Sequence, residues 1–440
     1  MSIKQKAGDA MEDKKPTLLP TLRFPEFREA VEWKELAGDA LFDQINNRKP
    51  EPGLPVLAIT QEHGAIPRHL IDYHVSVTEK SIESYKVVRV GDFIISLRSF
   101  QGGIEYSQYH GICSPAYVIL RLRHQSVAEY FRHYFKTKMF IRILTKNIEG
   151  LRDGKMISYA QFSELLIPVP SLPEQKRIAE FLNSVDELIA AQGRKVDALK
   201  THKKGLMQQL FPREGETQPR LRFLEFQNTG EWYFTTVGGL VEAGCLFPPK
   251  DGNHGNIHPK SSDYVAKGIP FIMASDLDGG LINIENCHFI SKKQADTLQK
   301  GFAKEGDVLL SHKGTVGEVA VVRDINTPYL MLTPQVTYYR VKEQKCLSND
   351  FLAQLFVSGA FQSNLEDVSG GGTRAYIGIT AQAKLPLQLP NDVKEQQRIA
   401  DCLTNLDGLI NAETQKLKAL KTHKKGLMQQ LFPTTEVVEA

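Results

Sequence analysis

No apolar run in this 440-residue chain approaches the roughly 18 residues that would span a bilayer. That excludes a helical membrane protein. The first twenty residues, MSIKQKAGDAMEDKKPTLLP, carry charges but no apolar core, so they read as a flexible tail and not as a secretory signal. Cysteine is scarce: Cys113, Cys245, Cys287, Cys346 and Cys402 are scattered and form no C-x-x-C pair. This argues against a disulfide framework or a zinc site and fits a reducing cytoplasm. A strong charge of one sign is missing as well, with 54 Lys and Arg against 51 Asp and Glu, net +3. That permits nucleic-acid binding without demanding it.

Catalytic signatures are also missing. There is no G-x-x-x-x-G-K-[ST] phosphate loop, and no G-x-G-x-x-G following a strand. The Asn/Asp-Pro-Pro-aromatic motif of amino-methylating enzymes is absent; LFPPKD at 246–251 lacks the preceding Asn or Asp. His110, His124, His133, His202 and His423 show no metal-ligand spacing. The expectation is a chain with no catalytic residues, no metal site and no bound cofactor.

What the chain does have is a repeat. LKTHKKGLMQQLFP stands at 199–212 and again at 420–433. Between Glu174 and Pro212, 26 of 39 positions match those 221 residues later, far beyond chance. The match extends upstream with shorter offsets. LRFPEF at 22–27 pairs with LRFLEF at 221–226, and Trp33 with Trp232, the only two tryptophans. Further on, Pro55, Gly64, Gly91-Asp92 and Ser96 pair with Pro270, Gly279, Gly306-Asp307 and Ser311. The chain is two copies of one unit, about 22–212 and 221–433. Sixteen extra residues of the second copy lie between its Trp and Pro, around LFPPKDGNHGNIHPKSSDY. The C-terminal parts are nearly identical and the preceding parts keep only a skeleton. One part does the same job twice; the other does a different version of a job each time.

The shared part reads as a long helix. Ile178, Leu182, Val185, Ile189, Gln192, Val196, Leu199, Lys203, Leu206 and Leu210 alternate steps of four and three, a heptad seam. Ile399, Leu403, Leu406, Ile410, Glu413, Leu417, Leu420, Lys424, Leu427 and Leu431 repeat it. Ser171-x-x-Glu174 and Asp392-x-x-Glu395 suggest capping-box starts, and Pro212 and Pro433 suggest stops. Such a helix over 174–211 is about 57 Å long at 1.5 Å per residue. A short connection between the copies favours antiparallel packing of the two helices. A plain core helix or a dimerisation coiled coil explains less, because each helix is tied to its own diverged domain.

The divergent parts hold short apolar runs between Gly, Pro and Asp turns, such as PVLAIT, KVVRVGDFIISL, IPFIMAS and GDVLLSHKG, which read as strands. Helical stretches follow near 126–147 and 348–366. The expected fold is α+β: two globular domains separated by two long antiparallel coiled-coil helices in a pseudo-twofold repeat. The expected division is a tail at 1–20, a domain at 21–170, a helix at 171–212, a linker at 213–220, a domain at 221–390, a helix at 391–433 and a tail at 434–440. Two loop pairs stand out: SLRSFQGG at 96–103 against SHKGTVGE at 311–318, and GLRDGKMISYAQ at 150–161 against GGGTRAYIGITAQ at 370–382. A basic residue on a glycine-rich loop suits phosphate contact or guanine readout; a solvated hairpin turn is the plainer reading of any one residue. The candidate DNA contacts are Arg98, Ser99, Gln101, Arg152, Lys155, Lys313, Thr315, Arg374 and Tyr376.

The two-copy layout, the paired helices and the run IPVPSLPEQKRIAEFL at 167–182 resemble one family, the specificity subunits of Type I restriction–modification systems. The second copy keeps EQQRIADCL but has LQLPNDVKEQ where the first has IPVPSLPEQ. The resemblance covers about 22–433. It implies that each variable domain reads one half of a bipartite double-stranded DNA target, while the helix pair sets the gap between the halves. It implies two methyltransferase (M) subunits docked on the repeated regions. S-adenosylmethionine, ATP and Mg are then expected on partner M and R subunits, which carry out adenine methylation and ATP-dependent cleavage. Two other readings stay open: a fused enzyme, against which the missing motifs speak, and a two-headed coiled-coil scaffold for proteins without DNA specificity.

Overall fold

The computed structural model describes residues 18–71, 82–123, 126–146, 157–370 and 375–433. It divides into two compact units, Met1–Gln192 with Lys416–Ala440, and Gly193–Gln415. The division cuts both long helices, Leu172–Leu210 and Val393–Leu431, near their middles. Each unit therefore holds one divergent domain, the first half of that domain's own helix and the last part of the other helix. The sequence reading placed domain and helix boundaries end to end along the chain; the compact units are composite.

Unit 1 is built on a four-stranded antiparallel sheet ordered Phe42–Ile45, Val118–Leu122, Phe93–Ile95, Glu105–Tyr106. Unit 2 repeats the plan with Lys250–Asp251, Val336–Tyr339, Val308–Lys313, Thr315–Val321. Unit 2 also has a five-stranded sheet in which Ile269–Ile272 and Leu330–Leu332 run parallel. A two-stranded ribbon leads into each long helix: Lys34–Ala37 against Leu166–Val169, and Tyr233–Thr236 against Pro386–Leu389.

The motifs shared by the copies turn out to be joints. Arg23 donates Nε and an Nη to the two oxygens of Glu174 at 2.7 and 2.8 Å, and Trp33 Nε1 donates to the same carboxylate at 3.2 Å. Arg222, Trp232 and Glu395 repeat this at 2.7, 2.7 and 3.4 Å. Glu174 and Glu395 do not close the expected capping boxes, because their carboxylates are taken by these forks. Burial of a carboxylate demands such a saturated, charge-assisted set. Gly-Asp is a second joint. Asp92 accepts from the Arg89 amide and from a bidentate Arg121, and Asp307 does the same with Lys304 and Arg340.

The repeated helix ends complete the cores. Leu210 and Phe211 join the core of unit 2, where the Phe211 ring meets Trp232 at 6.0 Å and Phe351 at 5.7 Å. Leu431 and Phe432 join that of unit 1, with Phe432 against Trp33 at 6.5 Å and Tyr130 at 5.6 Å. The Gln209 and Gln430 carbonyls accept from the amides of Leu221 and Leu22, each at 2.9 Å. One helix end is thus repeated because each copy's helix supplies part of the other copy's core.

Every seam residue of both helices is buried or half-buried, while the off-seam Leu188 and Leu409 are exposed. Within unit 2, Lys195 pairs with Glu413 at 2.5 Å and Lys203 with Asp407 at 2.6 Å, so the partners run in opposite order. Within unit 1, Lys424 pairs with Asp186 at 2.5 Å. The seam lysines Lys203 and Lys424 are half-buried and carry their ammonium groups to an aspartate on the facing helix. Such polar seam pairs fix register and orientation. The packing is antiparallel and the class is α+β.

The expectation for the cysteines also changes. Cys245 and Cys346 are bridged in unit 2, their Cα atoms 5.9 Å apart, within the span of a disulfide. A hundred residues separate them, and sequence spacing carries no sign of that contact.

Phe211→Ala is expected to weaken unit 2, and Phe432→Ala unit 1, each by about 3–5 kcal/mol. Hydrogen exchange of the Trp232 and Trp33 neighbourhoods reads this; loss of protection in the substituted helix's own domain contradicts the exchange of helix ends. A second prediction concerns acid. Burial pushes His133 and His312 down to about 4 from the usual 6.5. Below pH 6.5 the unfolded chain takes up protons that the folded chain refuses, so stability falls as pH falls toward 4. Gln354 stands in unit 2 where unit 1 has His133. His133→Gln is therefore expected to flatten the fall in Tm between pH 7 and 5; an unchanged slope contradicts it.

Candidate nucleic-acid interface

The divergent loops follow the same strand in each unit and then part. In unit 1, Phe93–Ile95 leads into a single helical turn, Ser99–Gly102, with Arg98 as its N-cap. Arg98 and Gln101 are exposed. Ser99 is not: it is 1% exposed, and its Oγ accepts the Ser96 amide at 2.9 Å. Its hydroxyl holds the turn, which corrects its placement among the surface contacts. Lys136 ties the turn down from behind, donating to the Gly102 carbonyl at 2.9 Å and to the buried Glu105 at 2.5 Å. Burial raises the Glu105 pKa, and Lys136 opposes that rise.

In unit 2, Val308–Lys313 turns tightly at Gly314, φ +83°, into Thr315–Val321. A positive φ there suits glycine. Lys313 and Thr315 face each other across the turn, both exposed. Tyr376 pairs with Lys313 by an isolated bridge, and the Lys313 ammonium lies 5.9 Å from the Tyr376 ring centre. Tyr376 is 49% exposed, so the unit presents an ammonium, a hydroxyl and an aromatic face together. Beneath them His312 is buried and neutral, its Nδ1 2.8 Å from the Thr337 hydroxyl.

The repeated glycines of the two tips lie against glutamine side chains, and Gly317 also has a positive φ of +101°. A Cβ at Gly102 would meet the Gln61 side chain at 2.6 Å, and one at Gly317 would meet Gln362 Oε1 at 2.4 Å. Gln362 donates to the Gly317 carbonyl at 2.9 Å, and Gln61 to the Arg98 carbonyl at 3.4 Å. In both units a glutamine from elsewhere in the fold braces the tip.

Arg152, Lys155 and Arg374 lie outside the described residues. Of the remaining candidates, the structure gathers Lys313, Thr315 and Tyr376 on one surface of unit 2, and Arg98 with Gln101 on one turn of unit 1. Sequence reasoning missed Gln61, Gln335 and His254, which border these tips from distant positions. For His254 the extra length of the second copy was the available signal. Among the described residues, no group of three or more His, Cys, Asp or Glu is placed to hold a metal ion, and no helix is long and apolar enough to cross a membrane.

Comparison with known proteins gives the frame. The Type I restriction–modification specificity subunit MjaVIII of Methanocaldococcus jannaschii is 23% identical over 428 residues, 93% of each chain. The solved S subunit of a Type I restriction–modification system from M. genitalium matches with a TM-score of 0.56 at 15% identity, covering 94% of this chain and 99% of that one. A structure described as the basis of complex assembly and conformational transition of the type I R-M system matches at 0.51 and 18% identity, over 92% and 98%. At these identities the two structures show the fold. The family model of the Type I restriction modification DNA specificity domain matches twice, over residues 34–201 and 230–422. Those two matches take in most of the chain and fall one on each copy of the repeat: this chain belongs to the DNA specificity family of Type I restriction–modification systems.

Proposed function

We propose that this chain is the non-catalytic reader of a bipartite DNA target, each unit recognising one half. The observation that supports it is the pairing of a constant frame with variable tips. The Arg–Glu–Trp fork, the Asp–Arg joint and the bracing glutamine recur in both units. The tips they hold differ: Arg98 and Gln101 on a helical turn, Lys313, Thr315 and Tyr376 around a hairpin. A frame kept twice with two different polar tips suits two different half-sites. Arg and Lys donate to guanine O6 and N7, and an exposed tyrosine adds stacking and a hydroxyl. Arg152, Lys155 and Arg374 join the proposed contacts by sequence.

The helix pair sets the spacer and offers two equivalent surfaces, marked by the exposed Leu188 and Leu409 at matching positions. Two copies of one methyltransferase subunit dock there, since equivalent surfaces suit identical partners. S-adenosylmethionine resides on those subunits, and ATP and Mg on the R subunits that join for cleavage. The assembly works in the cytoplasm. A protein scaffold without DNA specificity has no such use for basic, glycine-braced tips that differ between the copies.

The test is target selection from a randomised DNA library by the chain bound to its methyltransferase. Arg98→Ala is expected to relax one half-site and Lys313→Ala the other, each by about 1–3 kcal/mol of base discrimination. Equal loss in both halves, or no change in either, contradicts the two-reader assignment.

A further inference from the structure

The second copy is longer between its Trp and Pro, and the added loop follows an edge strand that matches Phe42–Ile45 of unit 1. Lys250–Asp251 joins the sheet edge against Val336–Tyr339. Asp251 is buried and accepts from Lys300 Nζ and from His254 Nε2, the latter at 2.6 Å. Gly252 passes so close to the Leu332–Thr333 turn that a Cβ would lie 2.0 Å from the Leu332 carbonyl oxygen. Asn253, 1% exposed, donates to the Lys300 carbonyl at 2.6 Å and accepts the Gln299 amide at 3.0 Å. Three consecutive residues therefore fix the start of the loop that carries His254.

That loop walls a cleft of about 350 Å³, with Lys313, Thr333 and Gln335 among its other lining residues. Among the described residues that line it there is no carboxylate. Thr333 is 3% exposed, and its hydroxyl has no partner among the described residues. His254 commits Nε2 to Asp251, which orients a half-exposed ring. Lys313 also belongs to the hairpin tip beside Thr315 and Tyr376, so the cleft continues the proposed reading surface. A cleft with an ammonium, an amide and an idle hydroxyl, and without acid, suits a ligand edge rich in acceptors.

We infer that this cleft is the place where unit 2 reads a base, taking the O6 and N7 edge of a guanine from the major groove between Lys313 and the His254 loop. Lys313 donates to that edge. The His254 loop closes the opposite side, so a base without the paired acceptors leaves the ammonium desolvated and unmatched. The inference rests on the reading that unit 2 contacts DNA. It makes the second half-site more closely specified than the hairpin tip alone would.

The experiment is selection from a library randomised across the target, with the chain bound to its methyltransferase, comparing His254→Ala, Gln335→Ala and the unaltered chain. Thermal melts check that the variants fold; both side chains lie at the surface or half-buried, so little change is expected. His254→Ala is expected to relax one guanine position of the second half-site about tenfold and leave the first half-site unchanged, with Gln335→Ala acting at the same position. Two results overturn the inference: equal weakening on every sequence, the mark of a phosphate contact, or an unchanged profile. If Lys313→Ala still relaxes the second half-site in that case, the two-reader reading stands and the cleft alone fails. If no variant of either tip changes the profile, both fail.

Discussion

A buried carboxylate at the base of each long helix is the constraint on which the rest hangs. Glu174 and Glu395 are each 1% exposed. Removing such an anion from water is costly unless charge and hydrogen bonds are returned to it. An arginine from the LRF segment and the indole of the one nearby tryptophan return both. That single joint brings together the segment before the domain, the start of the helix and the tryptophan. The tryptophan is then the platform onto which the other helix's terminal phenylalanine packs. From one ionic fork follows the exchange of helix ends, and from that exchange the need for a nearly invariant helix.

Rigidity below permits variety above. The sheet strand that precedes each tip is held by an Asp–Arg pair, and each tip glycine is braced by a glutamine. The exposed tip residues Arg98, Gln101, Lys313 and Thr315 carry no share of the core, so they are free to differ in shape and chemistry. A helical turn in one unit and a glycine hairpin in the other both fit the same frame. Unit 2 uses that freedom further, adding an anchored loop after the edge strand that both units share.

Much of this was legible in the sequence, for physical reasons. A heptad seam and an exact internal repeat are statements about periodicity and identity, and both survive in a seam whose every residue is buried or half-buried. Strands announced themselves by apolar runs between turn residues. The purpose of the conserved motifs was not legible. Gly-Asp and Glu174 look like a turn and a cap until their distant arginines are seen, because ion pairs across 29 or 151 residues leave no local trace. Ser99 looked like a surface contact by its neighbours, yet a hydroxyl three residues after Ser96 is placed to take that residue's amide. The Cys245–Cys346 bridge was hidden for the same reason of sequence distance. His254 could have been flagged only by the length of its segment.

The most direct measurement is a genome-wide map of N6-methyladenine by single-molecule sequencing, in a host expressing this chain with its methyltransferase subunit. Two readers of different half-sites on one helix pair predict a single bipartite motif, asymmetric between its halves, with one fixed gap and methylation on both strands. A continuous motif, a variable gap, or no motif from a complex that assembles would contradict the account.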